Sequence, residues 1–224
     1  MKKLKVMILT LCAGIVMAGC SNTAKGTAIG AGAGAVLGAV VGKIAGNTAI
    51  GAAVGTAVGA GAGALIGKKM DKVKAQAQQV ENAKVEEVKD ANNLDCVKVT
   101  FDSGLLFAVN KSDLNNNSKA SLAQFANVLK TNTDCDVAIY GHTDSSGNDA
   151  INIPLSQQRA AAVQSYLLGQ GVSSTQIKTV EGQGSSNPVA DNSTAAGKAQ
   201  NRRVEVYMYA SQKMIQQAEA GTLQ

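Results

Sequence analysis

Four regimes of hydrophobic and polar patterning follow one another along this chain. An apolar run covers Val6–Val16. Glycine then recurs every fourth residue from Gly26 to Gly46 and again from Gly51 to Gly67, with Asn47 and Thr48 between the two series. On a helix, a four-residue step makes a ridge without side chains, which lets two helices approach closely in lipid. Each series is about 20 residues, or roughly 30 Å as helix, the thickness of a hydrocarbon core. The pattern predicts a helical hairpin over residues 26–67 that turns near Asn47 and is membrane-embedded or self-associating. A Gly/Ala linker would need no such register. Residues 68–94 are charged and helix-forming, with a short stripe at Met70, Val73, Ala77 and Val80. They predict a solvated helical spacer that reaches about 39 Å.

From residue 95 the pattern becomes that of a folded domain. Strands are predicted at Val97–Phe101, Asp136–Gly141, Ile177–Gly182 and Val204–Tyr209. Helices are predicted at Ser118–Leu129, with Leu122, Phe125 and Leu129 at helical spacing, and at Ser156–Leu168, with Ser156 as N-cap. A short helix or turn falls around Ala195–Gln200. Strands alternating with helices imply an α/β (α+β) layer domain over 95–210, with helices packed on a small mixed four-stranded sheet. The polar tail 211–224 is expected to be frayed or helical.

The N-terminus changes how charge is read. Lys2, Lys3 and Lys5 precede the apolar run, and Met17-Ala18-Gly19-Cys20 follows it. This has the form of an export signal over 1–19. An ordinary signal that happens to contain a cysteine is the plainer alternative. The small residues Ala18 and Gly19 favour a lipobox, with cleavage before Cys20 and acylation of its thiol, although Met17 stands where leucine is more usual. The chain carries a net charge of +5, and removal of the three lysines leaves +2. With 3% aromatic residues and no basic stripe, nucleic-acid binding is not expected.

Candidate chemistry concentrates in Gly141–Arg159, GHTDSSGNDAINIPLSQQR. Asp144 lies in a polar loop after a strand, and Arg159 is expected in the first turn of the following helix. An acid can accept from an ammonium, and a guanidinium fork matches a carboxylate. One charge of each sign at short range is what a small zwitterion requires.

Five separated motifs, TFDSGLLFAVNKSDL, GHTDSSGND, LSQQRAAAV, GQGSSNPVADN and NRRVEV, resemble in their order the OmpA-like peptidoglycan-binding domain. The glycine register resembles the glycine-zipper segments of bacterial envelope lipoproteins. With the lipobox in front, the whole chain is similar to YiaD-type outer-membrane lipoproteins, and Ser21 resembles the residue after the cysteine in cargo sent to the outer membrane. The resemblance implies a ligand, the diaminopimelate centre of the peptidoglycan stem peptide. Asp144 would take its ammonium and Arg159 its carboxylate, with Arg202 as a second hold on the carboxylate. Asn110, Thr143 and Asn152 match positions expected to line the pocket, and Arg203 is read as flanking a strand. The implied role is a non-catalytic tether, lipid-anchored through Cys20 at the outer membrane with its domain in the periplasm. The alternative is a membrane-assembly protein that forms homo-oligomers through the zipper, with the domain only positioning it.

Cys96 and Cys135 remain after Cys12 leaves with the signal and Cys20 takes lipid. In an oxidising compartment an even pair suggests a disulfide, which would contribute about 4 kcal/mol over a loop of roughly 40 residues. Against it, Cys135 is in phase with Val137 and Ile139, while Cys96 is out of phase with Val97 and Val99. Two cysteines and one distant histidine do not make a four-ligand metal site, and no cofactor is expected. His142 beside Asp144 invites a hydrolase reading, but no G-x-S-x-G elbow occurs. Asp144 and Asp149 share a loop with no apolar setting to raise a pKa. Catalysis is not expected.

Overall fold

The computed structural model describes residues 58–108 and 110–224. Its elements are α1 (Ala60–Ala77), β1 (Ala83–Lys89), β2 (Asp95–Asp102), α2 (Ser103–Leu106), α3 (Asn116–Thr131), β3 (Cys135–Gly141), α4 (Asp149–Gly169), β4 (Ile177–Gly182), α5 (Ala195–Asn201), β5 (Arg203–Ala210) and α6 (Gln212–Glu219). The strands form one five-stranded sheet in the order β1-β2-β5-β3-β4. Only the β3–β4 pair is parallel. The sheet is therefore mixed, as expected, with one strand more than the four predicted.

The fifth strand comes from the segment read as a helical spacer, and this corrects that reading. Helix ends at Ala77, Asn82 takes a left-handed backbone (φ 59°), and Ala83–Lys89 pairs antiparallel with β2 from Ala83↔Phe101 to Lys89↔Asp95. Asp90 secures the hairpin by accepting from the backbone N–H of Asn92 and Leu94 at 2.8 and 2.9 Å. The segment's helix-forming composition yields to tertiary pairing, because strand preference depends on the partner surface more than on the residue. Val85 opposite Val99 serves the core, while Val88 packs on the other side with Cys96.

Most of the expected zipper hairpin, and all of the export signal with Cys20, lie outside the described residues. Within them, one continuous helix, α1, crosses the expected boundary at residues 67 and 68. Its buried residues Ala62, Ile66, Met70, Val73 and Ala77 form a single stripe that belongs to the main core. The stripe packs against β2, β1, α3 and α6. Each large apolar side chain so buried contributes about 1.5–3 kcal/mol. Among the described residues, no helix is long and apolar enough to cross a membrane. The tail is ordered too. Ser211 caps α6 through Met214 N–H at 3.2 Å, and Met214, Ile215 and Ala218 are buried.

The central strand β5 is buried along its whole length and separates two environments. Val204, Val206 and Met208 join Val97, Val99, Phe101, Val137 and Ile139 in the helix-covered core. Tyr207 and Tyr209 sit in a second cluster with Cys96, Ala138 and Tyr140. This arrangement corrects the disulfide. Cys96 and Cys135 are both free and buried, β5 lies between their strands, and they belong to the two different clusters. The phase mismatch in the sequence was the deciding signal, since alternate residues of a strand face opposite sides.

Candidate functional site

The site is built where β3 and β4 end beneath α4. A side chain at Gly141 would place its Cβ 2.1 Å from the Ser156 carbonyl oxygen, and one at Gly182 would lie 2.3 Å from Gln157 N. Only glycine permits this approach. Ser156, expected as the N-cap of α4, instead lies inside the helix. Its Oγ accepts from Gly184 N–H at 2.9 Å and donates to the Ile153 carbonyl at 2.9 Å. The cap is Asn148, whose side chain accepts from Ile151 N–H, and Asp149 in the first turn favours the positive end of the helix dipole. The helix thus starts seven residues earlier than expected and carries Pro154 inside it. Proline normally marks a helix start, which explains the misplaced boundary. Arg159 consequently lies well inside α4 rather than in its first turn.

Along α4 the buried face is Asn152, Ser156, Arg159, Ala160, Val163 and Leu167. Its apolar half seals the core, while Asn152 and Arg159 line a cavity of about 690 Å³. All six residues predicted to bind ligand, Asn110, Thr143, Asp144, Asn152, Arg159 and Arg202, line this one cavity. Asn110 takes a left-handed backbone (φ 58°), a conformation asparagine tolerates better than most residues.

Among the described residues, Asp144 is the only acid in the lining. Its Oδ1 accepts from Ser146 N–H at 2.8 Å and its Oδ2 from Arg202 Nη1 at 2.5 Å. Burial pushes its carboxyl up, but Arg202 and the Ser146 N–H outweigh that and hold it below the usual range. Asn152 braces the loop by donating to the Ser146 carbonyl at 3.0 Å and the Asp144 carbonyl at 3.4 Å. Arg202 was expected to face the ligand carboxylate; here it bonds to Asp144.

Arg159 is 4% exposed, yet no carboxylate pairs with it among the described residues. Its Nε donates to the Lys111 carbonyl at 3.1 Å, and its guanidinium carbon lies 5.3 Å from the centre of the Phe107 ring. Burial, and then the positive charge of Arg202, lower its pKa. A planar cation is thus stacked and oriented, with both terminal nitrogens free of hydrogen bonds among the described residues. This is the form of an anion receptor. Phe107 and Ser146 escaped the sequence reading. Phe107 lies inside a quoted motif but looks like core, and Ser146 is one of several loop serines.

His142 is fully buried and does not line the cavity. Its Nε2 is 3.6 Å from Glu205 Oε2, too long for a hydrogen bond. Glu205 takes Arg203 Nε at 2.7 Å and the Tyr207 hydroxyl at 2.7 Å. Arg203, expected as a flanking residue, is buried and anchors this network through the carbonyls of Asn201 and Asn187, both at 3.1 Å.

Comparison with known proteins identifies the relatives of the two parts of the chain. A model of the OmpA family matches residues 106–202, and a YMGG-like Gly-zipper model matches residues 1–71. "Probable lipoprotein YiaD" of Escherichia coli K12 is 46% identical over 108 residues, 48% of this chain and 46% of that protein. "Peptidoglycan-binding protein ArfA" of Mycobacterium bovis is 51% identical over 85 residues, 38% of this chain and 26% of that protein. The chain therefore spans about half the length of the first and a quarter of the second. Among solved structures, the cell wall anchor of the T6SS from Pseudomonas aeruginosa superposes with a TM-score of 0.52 at 27% identity, covering 62% of this chain and 96% of that one. Residues 106–202 of this chain are an OmpA-family domain, set behind a YMGG-like glycine-zipper segment.

Proposed function

We propose that this protein is a non-catalytic lipoprotein that ties the outer membrane to peptidoglycan by gripping the diaminopimelate centre of the stem peptide. The observation that carries the reading is the cavity in which Asp144 and Arg159 meet with four further predicted residues. The ligand carboxylate lies on the free edge of Arg159. The ligand ammonium approaches Asp144, whose oxygens each keep acceptor capacity beside Arg202 and Ser146 N–H. The name of the ArfA relative points the same way. Burial of His142 away from the cavity leaves Asp144 without a histidine partner for hydrolysis.

Two or three charged hydrogen bonds supply about 3–8 kcal/mol before ordering costs, so one site binds in roughly the millimolar to micromolar range. A weak grip suits a protein held at one surface and facing a polymer of repeated epitopes, because local concentration makes the attachment persist. In this reading an acylated Cys20 and the glycine-rich segment provide the membrane end. Sedimentation with purified sacculi tests the reading. The wild-type chain should co-sediment, and Asp144→Ala or Arg159→Ala should remain in the supernatant. Co-sedimentation of both variants at the wild-type level would overturn it.

A further inference from the structure

The cavity carries more positive charge than a zwitterion can balance. Two guanidinium groups and one carboxylate line it, and that carboxylate is already bonded to one of the guanidinium groups. A bound zwitterion is neutral overall and leaves this excess in place. A further cation stands at the rim. Lys198 Nζ donates to Ser146 Oγ at 3.2 Å, and Ser146 is part of the cavity lining. Among the described residues Lys198 has no carboxylate partner, as is true of several other lysines, but it is the one held against the cavity lining.

The rim is also built to hold its shape. Thr194 caps α5 by accepting from Gly197 N–H at 3.0 Å. Gly197 is packed against the Asp191 carbonyl so closely that a Cβ would fall 2.0 Å from it. Asn192 Oδ1 then joins the two sides, accepting from Ser145 N–H at 3.1 Å and from Asn201 Nδ2 at 2.9 Å. The helix that carries Lys198 and the loop that carries Ser146 are thus tied together. The Ser146 hydroxyl accepts from Lys198 and turns its own proton toward the Asp144 carboxylate, so the free donors at the rim are those left on the Lys198 ammonium. An ammonium with free donors, fixed beside a cavity with surplus positive charge, is a receptor for an anionic oxygen.

We propose that Lys198, positioned by Ser146, forms a second carboxylate subsite, which reads a free carboxylate on the stem residue next to the diaminopimelate centre. The proposal rests on the peptidoglycan reading of the main cavity and extends it from one amino-acid centre to two adjacent residues. The protein then distinguishes wall peptides in which that neighbouring carboxylate is free from those in which it is amidated.

Two soluble muropeptides test it, identical except that the residue preceding diaminopimelate bears a carboxylate in one and a carboxamide in the other. The full mature chain should bind the carboxylate form about tenfold more tightly, the effect of one partly screened charged contact. Lys198→Gln should bind both forms equally, at the level of the wild type with the carboxamide. Ser146→Ala should narrow the difference. Arg159→Ala should lose both ligands. Equal binding of the two peptides by the wild type, or discrimination retained in Lys198→Gln, overturns the subsite and leaves the main cavity's role standing. Failure of the wild type to bind either peptide overturns both.

Discussion

Arg202 and Asp144 close on each other in the lining of the cavity, Nη1 to Oδ2 at 2.5 Å, from positions 58 residues apart in the chain. Each side chain is fixed by the other before any ligand arrives. Asp144 therefore presents an oriented carboxylate, and Arg159 opposite presents an oriented cation with free donors. Preorganisation of this kind lowers the ordering cost of binding.

The pair has an unequal consequence for mutation. Asp144→Ala removes the acceptor for the ligand ammonium and also releases Arg202. It should weaken binding of soluble muropeptide by about 10- to 100-fold, the range for one charged hydrogen bond. Arg202→Ala leaves the acid in place but unsupported and should cost less, about three- to tenfold. Titration calorimetry on the two variants measures the difference.

Arg159→Lys tests the fork. Lysine keeps the charge but loses the planar donors and the stacking on Phe107. Binding should fall by about tenfold with little change in the urea midpoint.

Acid should destabilise the domain through the network below Tyr207. Burial holds the folded pKa of His142 under 6.5, so the unfolded chain takes up that proton first and stability falls as pH drops through 6.5. Burial pushes the Glu205 carboxyl up, but His142 and Arg203 outweigh it and hold the pKa below 4.5. That contribution is present above pH 4.5 and is lost as pH falls. Asp90 works the other way, since burial raises its pKa above 3.8 and the folded state takes the proton more readily. The two network groups should prevail, so the urea midpoint should decline steadily from pH 7.5 to pH 4. His142→Gln should flatten the upper part of the curve.

The cysteines give a chemical check on the sheet. Burial pushes both thiols up, Cys96 and Cys135 alike, and β5 separates their strands. Neither should react with maleimide in a folded chain that begins after Cys20. Both should react after denaturation without reductant, adding two labels by mass spectrometry.

Helix α1 is predicted to be part of the folding unit. Ile66→Ala, at a fully buried position, should cost about 2–5 kcal/mol, readable as a lower urea midpoint. A helix that served only as a spacer would show almost no change.

Local periodicity was enough to find β4 and to place β2, β3, β5, α3 and α5 within a few residues, because each buries one regular face. Where tertiary partners decide, it failed. Nothing within Ala83–Lys89 alternates cleanly, and it becomes a strand because β2 offers it an edge. Ile66 and Met70 read as zipper and spacer because the chemistry changes at Lys68, although the buried stripe does not. Pro154 concealed the true start of α4 at Asp149, after its Asn148 cap. The site was more legible than the fold around it, since its charges lie in short polar loops where core packing does not call for them. The Asp144–Arg202 bond was not legible, because it joins residues from distant parts of the chain. Ser146 and Lys198 became visible only once the loops were placed side by side.

The most direct test of the account is titration of the mature protein with two muropeptides that differ at the third stem residue, diaminopimelate in one and lysine in the other. Lysine keeps the ammonium and lacks the second carboxylate. The diaminopimelate peptide should bind about 10- to 100-fold more tightly, and Arg159→Ala should abolish the difference. Equal affinity of the wild-type protein for the two peptides would contradict the claim that Arg159 and Asp144 read the two charges of one amino-acid centre.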